Sequence, residues 1–134
     1  MIYTIDTWPT ARWPNFSFNE ACCSYTSLCD VDDDFMDLLQ ELRLTYGKPM
    51  HVTSLYRHPT HPVEAKKDKP GTHTTGKAVD IAVGRGQAMQ LIRIALPHVT
   101  GLGVKQHGKQ RFLHFDVLQD ELEHVTRPMI WSYR

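Results

Sequence analysis

Two histidines and one aspartate have the residue types and the spacing that suit a catalytic zinc ion. His73 and Asp80 are separated by six residues with Gly76 between them, and His114 comes much later in the sequence. Zinc accepts imidazole nitrogen and carboxylate oxygen, and its catalytic sites use three protein ligands with a fourth position open to water. The spacing lets a loop carry His73 and the following strand carry Asp80, while His114 arrives from a distant strand.

The segment around Asp80 predicts a buried strand that contains a single charge. Residues 78–83 form a short apolar run that ends at Gly84, which is typical of a buried strand. A charged group in such a strand is costly unless it is paired or bound to a metal. Asp80 is therefore a candidate metal ligand, and an ordinary turn or salt-bridge residue is the alternative.

A second predicted strand, residues 111–117, carries His114. Because side chains alternate across a strand, His114 and Asp116 share one face with Phe112. The opposite face is apolar and holds Leu113, Phe115 and Val117. Each candidate ligand alone is more often a structural residue, such as a core histidine bonded to a carboxylate, but the three together favour a metal site.

These residues resemble the M15 group of zinc peptidases, the D-Ala-D-Ala carboxypeptidases and L,D-endopeptidases that cut peptidoglycan stem peptides. The resemblance rests on the motif His73-x-x-Gly76-x-Ala78-x-Asp80 and the later His114-x-Asp116. The segment Thr-Ser-Leu-Tyr-Arg at 53–57 is similar to the Ser-Gly-Tyr-Arg element of the group, and the resemblance spans residues 16–117. The compact size and the helix around Phe35 look most like the small bacteriophage endolysins of this group.

The resemblance implies a role for each of these residues. His73, Asp80 and His114 correspond to the ligands of a Zn²⁺ cofactor. Arg57, with Ser54 beside it, corresponds to the residue that binds the carboxylate of the substrate or polarises the scissile carbonyl. The implied partner is a peptidoglycan peptide.

Two positions depart from the pattern of the group. Leu55 replaces the usual glycine beside the arginine, and Arg111 occupies the position, three residues before the final histidine, where many members carry an acidic catalytic residue. An arginine stays protonated and cannot act as a base. Asp116 is the nearest carboxylate on the same strand face, and a branch of the group resembles this His-x-Asp pattern, so Asp116 is the candidate general base or the residue that orients the zinc-bound water. A carboxylate that only holds a histidine ring is the alternative for Asp116.

Composition limits the classes of function. The 134 residues carry 15 basic and 15 acidic side chains, so no basic footprint for nucleic acid is expected. No apolar stretch approaches the ~20 residues of a membrane span, so stable membrane insertion is not expected. At this length we expect a single zinc peptidase domain over residues 1–134, acting as a monomer.

The first residues lack the basic and apolar regions of a signal peptide. We therefore expect the protein to stay in the host cytoplasm until it is released to the cell wall, and the lysin resemblance implies a holin for that release. Cys22, Cys23 and Cys29 do not form the paired spacing of a structural zinc site. We expect reduced thiols, with a disulfide from Cys29 to one of the other two as the alternative.

The remaining pattern predicts an α+β fold. A helix begins near the acidic run 32–34, whose charges suit a helix N-terminus better than a calcium loop, and it stops at Gly47. A second helix follows Gly84. The prediction is a small antiparallel sheet with helices on one side and a zinc cleft on the other, as in hedgehog and D-Ala-D-Ala peptidase domains. The Pro- and Lys-rich loop 58–72 forms one rim of that cleft.

Hydrolysis of a peptide bond in peptidoglycan is the function that this pattern favours. The lysin resemblance favours an L-Ala-D-Glu endopeptidase, and a D-Ala-D-Ala carboxypeptidase with the same catalytic residues is the alternative. A non-catalytic zinc-containing module that binds cell wall or protein is the alternative outside enzymes, because hedgehog domains share the ligand pattern.

Overall fold

The computed structural model describes residues 1–134 and contains one principal sheet. The sheet has five strands in the order β3-β4-β6-β5-β7. Their bounds are His51–Ser54 (β3), Ala78–Ala82 (β4), Gly101–Lys105 (β5), Phe112–Asp116 (β6) and Met129–Ser132 (β7). Two short strands, Ile2–Tyr3 (β1) and Cys29–Asp30 (β2), pair separately as an antiparallel ribbon.

Four α-helices and two 3₁₀ turns complete the fold. The helices are Phe18–Ala21 (α1), Asp33–Tyr46 (α2), Pro62–Ala65 (α3) and Arg85–Ala95 (α4), and the 3₁₀ turns are Thr72–Thr75 and Leu96–His98. Helix α2 begins where the acidic run predicts it, since the side chain of Asp32 accepts a hydrogen bond from the amide of Phe35 at 2.9 Å. The capping interpretation of that run is confirmed.

The predicted α+β class is confirmed, with one difference in the sheet. The neighbouring pairs β3–β4, β4–β6 and β6–β5 are antiparallel, but β7 runs parallel to β5 at the edge. Strand β6 is antiparallel to β5, so the end of β6 and the start of β7 lie at the same edge of the sheet. The irregular segment 117–128 joins these two ends and passes the start of β5, which places β7 on the outer side of β5.

The hydrophobic core lies between one face of the sheet and the helices. Apolar residues of β4, β6 and the two long helices belong to one buried cluster, which includes Val79, Ile81, Leu113, Phe115, Phe35, Leu39, Ala88 and Leu91. The opposite face of β4 and β6 carries Asp80 and His114. The amphipathic strands therefore bury their apolar side and leave their polar side for chemistry.

The aromatic segment near the start of the chain packs as a structural element. Trp8 and Trp13 are buried, and their ring nitrogens donate to the carbonyl of Phe16 at 2.9 Å and to the carboxylate of Asp37 at 2.8 Å. Both rings therefore belong to the core. The three cysteines are free thiols.

Candidate metal centre

The two strands at the middle of the sheet place Asp80 and His114 directly opposite each other. They are register partners in the antiparallel pair of β4 and β6. Directly opposed residues on the same face of such a pair have their Cβ atoms only about 5 Å apart. The sheet itself therefore brings the carboxylate to the imidazole, with Nδ1 of His114 at 2.8 Å from Oδ1 of Asp80.

A sharp turn adds His73 to this pair. His73 lies in the 3₁₀ turn Thr72–Thr75, which ends at Gly76 with φ of +70°. A side chain at Gly76 would collide with the carbonyl oxygen of Asp30, so only glycine suits both the backbone conformation and the space. The turn directs Nε2 of His73 to 3.2 Å from Oδ2 of Asp80.

Hydrogen bonds behind the two rings decide which nitrogen faces the centre. Nδ1 of His73 donates to the carbonyl of Leu55 at 2.7 Å, which leaves Nε2 toward Asp80. Nε2 of His114 donates to Oδ2 of Asp116 at 2.7 Å, which leaves Nδ1 toward Asp80. Such outer contacts fix the tautomer and the orientation of metal-binding histidines.

The donor set fits zinc. His73, Asp80 and His114 each offer one ligand atom, and these atoms lie within 4.8 Å of one another. Two imidazoles and one carboxylate are ligands that zinc accepts, and three protein ligands leave the fourth tetrahedral position for water or substrate. The structure thus brings together all three residues that the sequence predicts as ligands.

The two carboxyl groups of the centre stay ionised despite their burial. Burial alone would raise the pKa of Asp80, but hydrogen bonds from His114 and His73 outweigh it and hold the pKa well below its ordinary value. Burial opposes ionisation of Asp116 in the same way, and hydrogen bonds from Arg127 and His114 lower its pKa to about 2. Both groups are therefore anionic at neutral pH and available to a cation or an imidazole.

Asp116 is engaged on both of its oxygens. It is completely buried, and besides His114 it contacts the guanidinium of Arg127, with Nε at 2.8 Å from Oδ1 and Nη2 at 2.7 Å from Oδ2. These contacts are those of a carboxylate that holds a histidine ring. Its role as general base remains a prediction.

Arg57 lies next to His73 but is held by other side chains. Its Nη2 donates to Oγ of Ser54 at 2.9 Å, and its Nη1 donates to Oε2 of Glu64 at 3.0 Å. Glu64 is itself buried and also accepts from Nζ of Lys67 and from the amide of Gly71. The predicted cleft loop is thus tied to Arg57 by one carboxylate.

Other residues singled out in the sequence lie away from the centre. Arg111, three residues before His114, donates its Nε to the carbonyl of Gly108 in the turn between β5 and β6. His58 bonds to Thr60 within its own loop, and His61 caps helix α3, so neither joins the metal group. His107 is exposed at the turn, with Nε2 at 3.1 Å from the carbonyl of Tyr133.

Three residues near the site were not predicted from the sequence. Glu64 is one charge among several in the polar loop 58–72, and Arg127 and Trp131 lie beyond the motifs that indicate the metal centre. The only available signal for Arg127 was the buried acid at Asp116, because a buried carboxylate needs a cation or several donors.

An α+β fold with two histidines and one aspartate placed to hold a metal ion on one face of its sheet defines the class of this protein, a metal-binding α+β domain. The chain belongs to the peptidase M15 family, because the family model described as Peptidase M15 matches residues 14–116, most of the chain. That match contains all three candidate ligands and Arg57. The protein is accordingly a metallopeptidase with zinc as its cofactor.

No curated protein and no solved structure matches the chain. None of its helices combines the length and the apolar character needed to cross a lipid bilayer.

Proposed function

We propose that the protein hydrolyses a peptide bond in peptidoglycan stem peptides, as a phage endolysin of the L-Ala-D-Glu endopeptidase type. The observation that carries the proposal is the family match over the segment that folds into the metal centre. The preference for an endopeptidase rests on the resemblance of the compact chain to phage lysins. A D-Ala-D-Ala carboxypeptidase would use the same residues and is the second candidate.

Each residue of the centre has a task in this proposal. Zinc bound in such a site supplies Lewis-acid polarisation of a carbonyl and lowers the pKa of a coordinated water. His73, Asp80 and His114 would hold the ion, and the carbonyl of Leu55 and the carboxylate of Asp116 keep the two rings in position. The chain therefore provides a preorganised site whose geometry does not have to be rebuilt when substrate arrives.

Arg57 is the proposed substrate contact. Its guanidinium is only partly exposed and is oriented by Ser54 and Glu64. An oriented guanidinium offers several N–H donors in a fixed plane to a carboxylate or a developing oxyanion. We propose that the substrate replaces one of these side-chain contacts, most simply the hydroxyl of Ser54, when it binds.

Incubation of the purified protein with peptidoglycan, with and without a chelator, tests the proposal. Mass spectrometry of the released fragments then identifies the bond. New termini between L-Ala and D-Glu are expected for the endopeptidase, and release of a terminal D-alanine would instead establish the carboxypeptidase. The variant His73→Ala should be inactive, and the exposed His98→Ala should retain activity.

The absence of cleavage by the folded, zinc-loaded protein would contradict hydrolysis of this substrate. Wall fragments that bind without being cut would then favour the third candidate, a zinc-containing binding module. A pull-down of the same variants on insoluble peptidoglycan separates that outcome from a protein that does not recognise the wall at all.

A further inference from the structure

The segment 127–133, termed here the C-terminal arm, reaches the metal centre from outside the region that matches the family. The match ends at residue 116, whereas the arm contains Arg127 and the edge strand β7. Because β7 lies parallel to β5, its residues Met129 and Trp131 are the register partners of Gly101 and Gly103. Those two glycines are in turn the partners of Asp116 and His114 on β6.

Arg127 is joined to the metal centre through a single buried carboxylate. Its side chain is only 4% exposed and makes a two-point contact with Asp116, which is fully buried. Its remaining Nη1 donates to the carbonyl of Thr126 at 2.7 Å. Asp116 then accepts from His114, so an unbroken series of hydrogen bonds runs from the arm to a metal ligand.

Two glycines of strand β5 leave the space that the C-terminal arm occupies. A Cβ atom on Gly101 would lie 2.6 Å from Nε of Arg127 and would also collide with the carboxylate of Asp116. A Cβ atom on Gly103 would lie 2.7 Å from Nε1 of Trp131. Any other residue at either position would therefore push the arm away from the centre.

Trp131 covers the ring of His114. The centroids of the two rings are 5.1 Å apart, and the guanidinium carbon of Arg127 lies 5.0 Å from the centroid of the Trp131 ring. Trp131 therefore contacts both His114 and Arg127, the arginine that orients the His114 ring through Asp116. Aromatic pairs at this separation contribute to packing and restrict rotation of the rings.

We propose that the C-terminal arm is a working part of the metal centre and that Arg127 is its positioning residue. Arg127 fixes the carboxylate of Asp116, Asp116 fixes the ring of His114, and Nδ1 of that ring is thereby kept facing Asp80. The inference rests on the metal centre named under the proposed function but not on the identity of the substrate.

Two physical effects of removing Arg127 have opposite signs, and this makes the proposal testable. Loss of a positive charge near the site would by itself favour a bound cation. Loss of the ring support would weaken binding, and outer contacts of this kind are worth about 10–100-fold in metal affinity. A weaker affinity therefore reports positioning rather than charge.

The experiment measures the zinc affinity of the full-length protein by competition with a chromophoric chelator, together with the visible spectrum of the cobalt-substituted protein. Arg127→Gln should bind zinc about 10–100-fold more weakly and show an altered cobalt spectrum. Arg93→Gln, an exposed arginine on helix α4, is the matched control and should behave like the parent protein. In an Asp116→Asn background, Arg127→Gln should have little further effect.

Arg127→Lys keeps the positive charge beside Asp116. It is the second test variant, to be used if Arg127→Gln does not fold. A lysine cannot make the two-point contact, so we expect a smaller but measurable loss of zinc affinity. Equal or tighter zinc binding with an unchanged cobalt spectrum in a folded variant would overturn the proposal. Neither measurement needs a peptide substrate. A protein that binds zinc but does not cut peptidoglycan would therefore refute the proposed function, whereas the zinc affinity of Arg127→Gln relative to the parent protein would still decide this inference.

Discussion

The backbone amide of Arg57 donates a hydrogen bond to the carbonyl of His73 at 3.1 Å. The ring of His73 in turn donates a hydrogen bond to the carbonyl of Leu55, which lies two residues before Arg57. The substrate-binding candidate and a metal-ligand candidate, 16 positions apart in the sequence, are thus held in one local frame. A change that displaces one of them is expected to displace the other.

Removal of a ligand should abolish tight zinc binding. The variant His73→Ala leaves one imidazole and one carboxylate, so we expect its zinc affinity to fall by more than the roughly 100-fold that an outer contact is worth. Competition with a chelator measures the affinity. His98→Ala, on an exposed 3₁₀ turn, is the control, and retention of tight binding by His73→Ala would exclude this residue as a ligand.

Gly76 should be intolerant of a side chain. Gly76→Ala combines an unfavourable positive φ with a Cβ atom 2.8 Å from Cα of Val31, so a loss of at least about 2 kcal/mol in unfolding free energy is expected. Gly86→Ala is the matched control, because a Cβ atom there meets nothing within 4 Å and its helical position favours alanine. Urea denaturation in chelator measures both. Equal stabilities of the two variants would show that the turn before β4 relaxes freely.

Glu64 should support Arg57. Glu64→Ala removes the acceptor of Nη1 of Arg57 and of the amide of Gly71, and we expect a loss of about 1–3 kcal/mol in unfolding free energy. If Arg57 binds substrate, KM for a stem-peptide substrate should also rise. Glu41→Ala, an exposed glutamate on α2, should change neither quantity. If Glu64→Ala lowers the unfolding free energy but leaves KM unchanged, Glu64 stabilises the loop without positioning Arg57 for substrate.

Acid should destabilise the metal-free protein through Asp116. Arg127 and His114 outweigh burial and hold the pKa of Asp116 at about 2, against 3.8 for an ordinary aspartate. Between these values the unfolded chain binds more protons than the folded one, so stability falls as the pH falls. The contribution, about 2 kcal/mol, is complete above about pH 4 and lost toward pH 2.

Urea denaturation in chelator between pH 5 and pH 2.5 measures this dependence. Asp116→Asn should show a shallower loss of stability over the same range, because its side chain does not titrate. Parallel curves for the two proteins would mean that other carboxylates govern the acid transition.

The candidate ligands could be predicted from the sequence because each of them stands in a recognisable local pattern. Strand alternation places His114 and Asp116 on one face, and the apolar run around Asp80 makes its charge conspicuous. The same applies to helix α2, where Asp32 and Gly47 mark the ends.

The contacts around the centre could not be predicted, because they depend on distant placement. Arg127 meets Asp116 only because β7 lies parallel to β5, and nothing in a four-residue strand states its direction. Glu64 meets Arg57 only after the loop 58–72 has folded back on itself. Such pairs follow from tertiary structure rather than from periodicity or turn chemistry.

Asp80 and His114 lie opposite each other on neighbouring strands, and His73 lies on a separate turn. This arrangement makes the stability of the folded chain depend on zinc. An ion shared by these residues is a cross-link between three parts of the chain, and none of them forms the site alone. Because binding to the native state alone stabilises it by mass action, about 2.7 kcal/mol is added at a free zinc concentration one hundred times Kd. The melting temperature, and with it the resistance to proteolysis, should therefore rise and fall with the zinc supply of the surroundings.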